Sequence, residues 1–175
     1  MKRLLTSLIL IIFIASNIYL VSNAQVKPAP TSHSWFITVN LDTRTLTVYD
    51  NNNIYKKYPV AIGKKRTPTP TGQFTILKKT VNPAWGGNGN PKAAKKGGDP
   101  SNPLGTRWLG TSAGRNPGSS IGIHGNIDPK SIGTRASHGC MRMRNNDVIE
   151  IYKFIPINTP VWIGSTKKLA LWGIK

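Results

Sequence analysis

Ser137-His138-Gly139-Cys140-Met141-Arg142-Met143 contains the single cysteine of the chain, and a histidine stands upstream of it in Gly122-Ile123-His124-Gly125. One thiol cannot close an internal disulfide, so Cys140 is either core filling or a reactive group. The glycines around the two histidines weigh against core filling, because glycine packs poorly inside a strand. A cysteine attacks a carbonyl as thiolate, and its ordinary pKa of about 8.5 leaves only a few per cent ionised near neutrality. A histidine that takes the proton removes that limit. Gly139 lets the backbone turn tightly, so that N–H groups near Gly139 and Cys140 can face a developing oxyanion. In an extended segment His138 and Cys140 share a face, while His124 arrives from a neighbouring strand end. Both histidines are therefore candidate bases. A zinc site of His124, His138 and Cys140 lacks an evident fourth ligand beyond an aspartate or His33, so no metal and no cofactor is expected.

Residues 1–24 read as a secretory signal. Lys2 and Arg3 give a basic start, Leu4 to Leu20 is largely apolar, and Ser22-Asn23-Ala24 supplies small residues for cleavage. The alternative is an uncleaved anchor, since the apolar stretch approaches the roughly 20 residues that span a bilayer. Asn17 and the small-residue ending favour cleavage. About 150 residues then remain, enough for one domain and too few for a catalytic domain with a separate binding module. The expected organisation is a signal over 1–24, a linker over 25–34 and a single domain over 35–175.

The formal charge is +18, or +16 once Lys2 and Arg3 are lost. Such a field attracts polyanions and raises encounter rates. Inside a cell that partner would be nucleic acid, but an exported protein meets cell-wall polymers and anionic lipid instead. Anionic wall polymers are therefore one expected macromolecular partner, with a charge that serves only solubility or an alkaline pI as the alternative; nucleic acid is not expected, and membrane contact is expected only through an uncleaved signal. The protein is expected to act as a monomer at the cell wall, in the periplasm or at the extracellular face.

The rest of the chain reads as mainly β. Trp35–Asn40, Thr45–Asp50, Ile54–Ile62 and Gln73–Val81 are β-branched and aromatic runs separated by turn residues, predicting a four-stranded antiparallel meander. Thr67-Pro68-Thr69-Pro70-Thr71-Gly72 predicts a stiff extended connection. Asn82–Gly118, rich in Gly, Pro, Asn and Lys yet carrying Trp85 and Trp108, predicts a long loop suited to a lid. After the cysteine, Asn145 to Asp147 can cap a helix, and Val148, Ile151, Tyr152 and Ile155 follow at helical spacing, predicting one short helix over Asp147–Phe154. Thr159–Gly164 reads as a closing strand, and Leu169–Trp172 as a further one. His33, in or beside the linker, reads as a solvated residue.

Taken together, His124-Gly125 followed by Ser137-His138-Gly139-Cys140-Met141-Arg142-Met143 resembles the signature of the L,D-transpeptidase catalytic domain family (YkuD type). Asn102-Pro103-Leu104-Gly105, Arg107-Trp108-Leu109, the proline tract and the Asn145–Tyr152 helix start also resemble segments of that family. The resemblance implies a β-sandwich or barrel-like domain with a short helix after the nucleophile, working on peptidoglycan stem peptides. It implies Cys140 as nucleophile, attacking the carbonyl of the third stem residue and expelling D-alanine. It implies His124 as base, oriented by a backbone carbonyl near Gly125, with His138, Gly139 and Cys140 shaping the oxyanion site. Ser137, Arg142 and Gly125 would hold the loop or contact substrate. An amine from a second stem would resolve the thioester as a cross-link. Water in its place would make an L,D-carboxypeptidase, and a non-catalytic basic wall-binding protein is the alternative from another class.

Overall fold

The computed structural model describes residues 32–174. The expected signal and most of the expected linker lie outside the described residues. No helix among the described residues is long and apolar enough to cross a membrane.

The first three strands form the expected meander. β1 (Trp35–Asn40) pairs antiparallel with β2 (Thr45–Asp50), and β2 with β3 (Asn53–Pro59). Period-two alternation sends Ile37, Val39, Leu46 and Val48 into the core, all fully buried. Asn51 and Asn52 make the β2–β3 turn with positive φ angles of 48° and 67°, a conformation asparagine tolerates.

The fourth strand departs from the expected meander. The run predicted over Ile54–Ile62 divides at Pro59, which lacks a backbone donor, and Ile62–Gly63 (β4) leaves to pair with another strand. β5 (Gly72–Val81) does not join β3. The long connection predicted over Asn82–Gly118 contains β6 (Arg107–Thr111), held against β5 by its buried Trp108 and Leu109. Three short strands follow: β7 (Gly122–His124), β8 (Arg135–Ser137) and β9 (Met141–Arg142). The helix α1 (Asn145–Phe154) then buries Val148 and Ile151, and β10 (Pro160–Gly164) returns to the middle of the sheet. The order is β3-β2-β1-β10-β5-β6-β7-β9, with β4 and β8 as a separate parallel pair.

The sheet is thus mixed. β10 runs parallel to β1 and antiparallel to β5, and its Val161 and Ile163, on one face, are fully buried. The strand predicted over Leu169–Trp172 is instead part of a second helix, α2 (Thr166–Leu171), whose start is capped by Ser165 Oγ accepting from the Lys168 N–H at 3.2 Å. It covers part of the other sheet face through Leu169. His33 is exposed but not free: its Nδ1 lies 2.6 Å from Asp50 Oδ2, and its ring stacks on Trp35 at 5.1 Å.

Candidate active site

The parallel pairing of β7 with β9 builds the site. Ile123 lies opposite Met141 and His124 opposite Arg142, and the Met143 N–H donates to the His124 carbonyl at 2.8 Å. Ile123, Met141 and Met143 are fully buried, so their apolar side chains fix the register that sets Cys140, just before β9, beside the start of β7.

His124 is 3 % exposed, and its Nδ1 is 2.6 Å from the Gly125 carbonyl oxygen. That oxygen only accepts, so Nδ1 carries the proton and Nε2 keeps its lone pair. Burial pushes the imidazole down to about 4; the Gly125 carbonyl opposes this fall, Arg142 adds to it, and the Leu104 backbone opposes it more weakly. The ring is a neutral base across the ordinary pH range. Trp108 stacks on it at 5.7 Å and 23°, and is itself tied by its Nε1–H to the Gly118 carbonyl at 2.9 Å. Gly122 makes room for that indole, since a Cβ there would approach its ring carbons to 2.7 Å.

Cys140 is half-buried, and burial pushes its thiol up, against the opposing effects of the Gly122 N–H and Arg142. At rest the S–H points to the Ser120 carbonyl, 3.6 Å away. The segment around it is not extended as the shared-face argument required. Gly139 turns it with φ 125°, and a Cβ at Gly139 would meet Ile121 Cδ1 at 2.9 Å. His138 is exposed, whereas Ser137 is buried and acts as a pin: its Oγ donates to the Cys140 carbonyl at 2.6 Å and accepts from the Gly139 N–H at 3.1 Å. The Gly139 donor is therefore engaged, while the Cys140 N–H has no acceptor among the described residues.

His124, Ser137, His138, Cys140 and Arg142 line one cavity of about 240 Å³, together with Trp85, Asn88, Pro103 and Leu104 of the long connection. The Nε of Arg142 is buried without a hydrogen-bond partner. Among the described residues, no three His, Cys, Asp or Glu side chains gather as a metal site.

Two asparagines of the segments noted in the sequence, Asn145 and Asn102, hold loops of the site in ways the sequence does not show. Asn145 opens α1 but does not cap it; its Oδ1 accepts from the Asn126 N–H at 3.1 Å and its Nδ2 donates to the Asn126 carbonyl at 3.0 Å, clamping the loop after Gly125. Asn102, 1 % exposed, donates to the Pro83 and Lys96 carbonyls at 2.7 and 3.1 Å and accepts from the Leu104 N–H at 2.9 Å, so it ties together the loop whose residues line the cavity.

Residues 34–163 match the model of the YkuD family, the L,D-transpeptidase catalytic domain. The chain is 39% identical over 136 residues to the putative L,D-transpeptidase YkuD of Bacillus subtilis, covering 78% of this chain and 70% of that protein. It is 38% identical over 128 residues to the putative L,D-transpeptidase YqjB of the same species, covering 73% and 70%. Among solved structures, the L,D-transpeptidase from Mycobacterium smegmatis superposes with a TM-score of 0.59 at 21% identity, over 77% of this chain and 60% of that one. At that identity the likeness is one of fold.

Proposed function

The chain belongs to the L,D-transpeptidase catalytic domain family, and from that premise we propose that it is an exported enzyme that cross-links peptidoglycan by cysteine acyl transfer. The observation that carries the reading is the pairing, in one cavity, of the half-buried Cys140 with a His124 whose Nδ1–H is held by the Gly125 carbonyl. A neutral imidazole whose Nε2 keeps its lone pair suits general-base work, and no preformed ion pair is needed.

In the proposed reaction Cys140 Sγ attacks the carbonyl carbon of the third stem residue while His124 takes the thiol proton. The oxyanion is stabilised by the free Cys140 N–H, with Gly139 giving the turn that exposes it and His138 at the cavity rim. The proton passes to the departing nitrogen, D-alanine leaves, and a thioester remains. An amine of a second stem attacks it, His124 takes that proton, and the thiol returns. Ser137 holds the loop, Gly125 holds His124, and the unpartnered Arg142 Nε supports a contact with a substrate oxygen. The loop carrying Trp85 and Asn88 acts as a lid. The basic and apolar start of the chain supports export.

Intact-mass measurement with a tetrapeptide muropeptide tests the reading. Acyl adduct, D-alanine and dimer are expected from the native protein, and none from Cys140→Ala. Adduct with shortened monomer alone would make it a carboxypeptidase, and turnover by Cys140→Ala would overturn the nucleophile.

A further inference from the structure

The chain has 24 Lys and Arg against six Asp and Glu, and long stretches of it carry no acid. None lies between Asp50 and Asp99, and none between Asp128 and Asp147. These two acid-free stretches meet where β4 pairs with β8, with Ile62 opposite Arg135 and Gly63 opposite Ser137. Directly after β4 comes Lys64-Lys65-Arg66, the only run of three consecutive cations in the chain. Lys65, Arg66 and Arg135 are exposed and Lys64 is half-buried. None of the four makes an ion pair among the described residues, where the Lys and Arg ion pairs are Lys56 with Glu150 and Arg144 with Asp147.

The basic turn is also built, not merely charged. The Thr67 N–H donates to the Lys64 carbonyl at 3.1 Å, closing the turn, and Gly63 N–H donates to Thr69 Oγ1 at 2.8 Å. The Lys64 N–H and Thr67 Oγ1 both donate to the Ser137 carbonyl, at 3.0 and 3.3 Å. Gly63 is packed so closely against the Thr67–Thr69 backbone that no Cβ fits. Four cations are thus presented on a frame ordered in advance, which reduces the entropy lost on binding. The same Ser137 whose carbonyl anchors the turn pins the nucleophile loop through its hydroxyl.

We propose that Lys64, Lys65, Arg66 and Arg135 form a docking surface for a phosphodiester-linked polyol polymer of the cell wall, holding the chain on its substrate mesh beside the Cys140 loop. Two of the four are guanidinium groups, whose planar fork matches a phosphate oxygen pair better than a point charge does. The inference rests on the proposed export to the wall. It locates on one surface an attraction that net charge alone would spread over the molecule.

The test titrates a labelled poly(glycerol phosphate) oligomer by fluorescence anisotropy, at several salt concentrations, with the chain carrying Cys140→Ala so that neither turnover nor covalent capture enters. The combined Lys64→Gln, Lys65→Gln, Arg66→Gln and Arg135→Gln variant is expected to bind at least about tenfold more weakly. Its log Kd against log salt slope should fall by about 2–3, at about 0.7 per lost phosphate contact. A control of equal charge loss, with Lys92, Lys95, Lys96 and Lys167 changed to Gln, is expected to stay within about threefold of the parent, well inside the loss expected for contacts at the site. Equal weakening of both variants would overturn the local surface in favour of diffuse charge. Equal competition by polygalacturonate of matched charge would overturn phosphate recognition. Tighter, residue-dependent binding to phosphatidylglycerol vesicles would replace the polymer with a membrane. Because the probe needs no thiol chemistry, intact polymer binding beside absent D-alanine release by the native protein with a tetrapeptide muropeptide would sink the transpeptidase reading alone.

Discussion

His124 concentrates the site's energetics in one side chain. Its imidazole is about 4 in the folded chain against about 6.5 unfolded, because burial penalises the cation and Arg142 reinforces the penalty. Between those two values the unfolded chain takes up a proton that the folded chain refuses, so stability rises with pH across that window. The group's contribution is fully present above pH 6.5 and is lost as pH falls towards 4, a total of about 3 kcal/mol. Urea unfolding at pH 7.0 and 4.5 should show this loss in the native protein and much less of it in His124→Gln. Identical losses in the two proteins would mean that the ring is not held neutral by burial. The same argument has a catalytic side. A base that stays unprotonated down to such low pH leaves the acid limb of acyl transfer to other groups, so the rate of D-alanine release should not fall through the ordinary histidine range near 6.5. A half-maximal point at 6.5 that persists when His138 is changed to Gln would sink that expectation.

The turn between β8 and β9 shows how an element only a few residues long can be held in one shape. Ser137 Oγ satisfies both the Gly139 N–H and the Cys140 carbonyl, so Ser137→Ala leaves two polar groups of the nucleophile loop unpaired. The cost is about 1–3 kcal/mol for a buried group left unsatisfied, and acyl transfer should drop with KM little changed, since the thiol is misplaced rather than the substrate unbound. Ser137→Thr, which keeps the hydroxyl, should restore much of the rate, and Ser137→Ala at native rate would remove the loop from the argument. Elements of this size explain where sequence reading stopped. β1 and β2 announce themselves by alternation, and α1 by the spacing of Val148, Ile151 and Ile155. β7, β8 and β9 have two or three residues each and no period to read; they exist because non-local pairing satisfies them. α2 was open to misreading because Leu169 and Leu171 alternate as in a strand, while the Ser165 cap that decides for helix is a single hydroxyl. Cys140 and His124 stood out through residue type. Trp108 and Asn145 are visible as a loop aromatic and a cap candidate, but their roles are not, because these follow from a stacked ring across β6–β7 and from a clamp across nineteen residues of chain.

At the scale of the whole molecule, β10 is the seam of the sheet. The order β3-β2-β1-β10-β5-β6-β7-β9 puts it between the N-terminal meander and the half that carries His124 and Cys140. Within the eight-stranded sheet the two halves therefore join through one strand whose partners on both sides are far away in sequence, and outside it the segment after β3 reaches β8 and β9 through the short β4–β8 pair and the Ala61–Arg142 bridge. This placement could not be read from Thr159–Gly164 alone, which looks like any closing strand; the parallel partnership with β1 is a property of the packed sheet. A chain ended at Asn158 should lose cooperative thermal unfolding, because β1 and β5 become open edges and the fully buried Val161 and Ile163 no longer fill the core. A chain ended at Ser165 keeps the seam and loses only α2, whose buried Leu169 is worth about 1.5–3 kcal/mol. It should still melt in one transition, at lower temperature, and retain the Cys140 adduct. Circular dichroism melts of the two truncations decide between this view and its opposite: if the shorter chain melts cooperatively near the temperature of the longer one, the two halves fold without the seam, and the site does not depend on the C-terminal strand for its geometry.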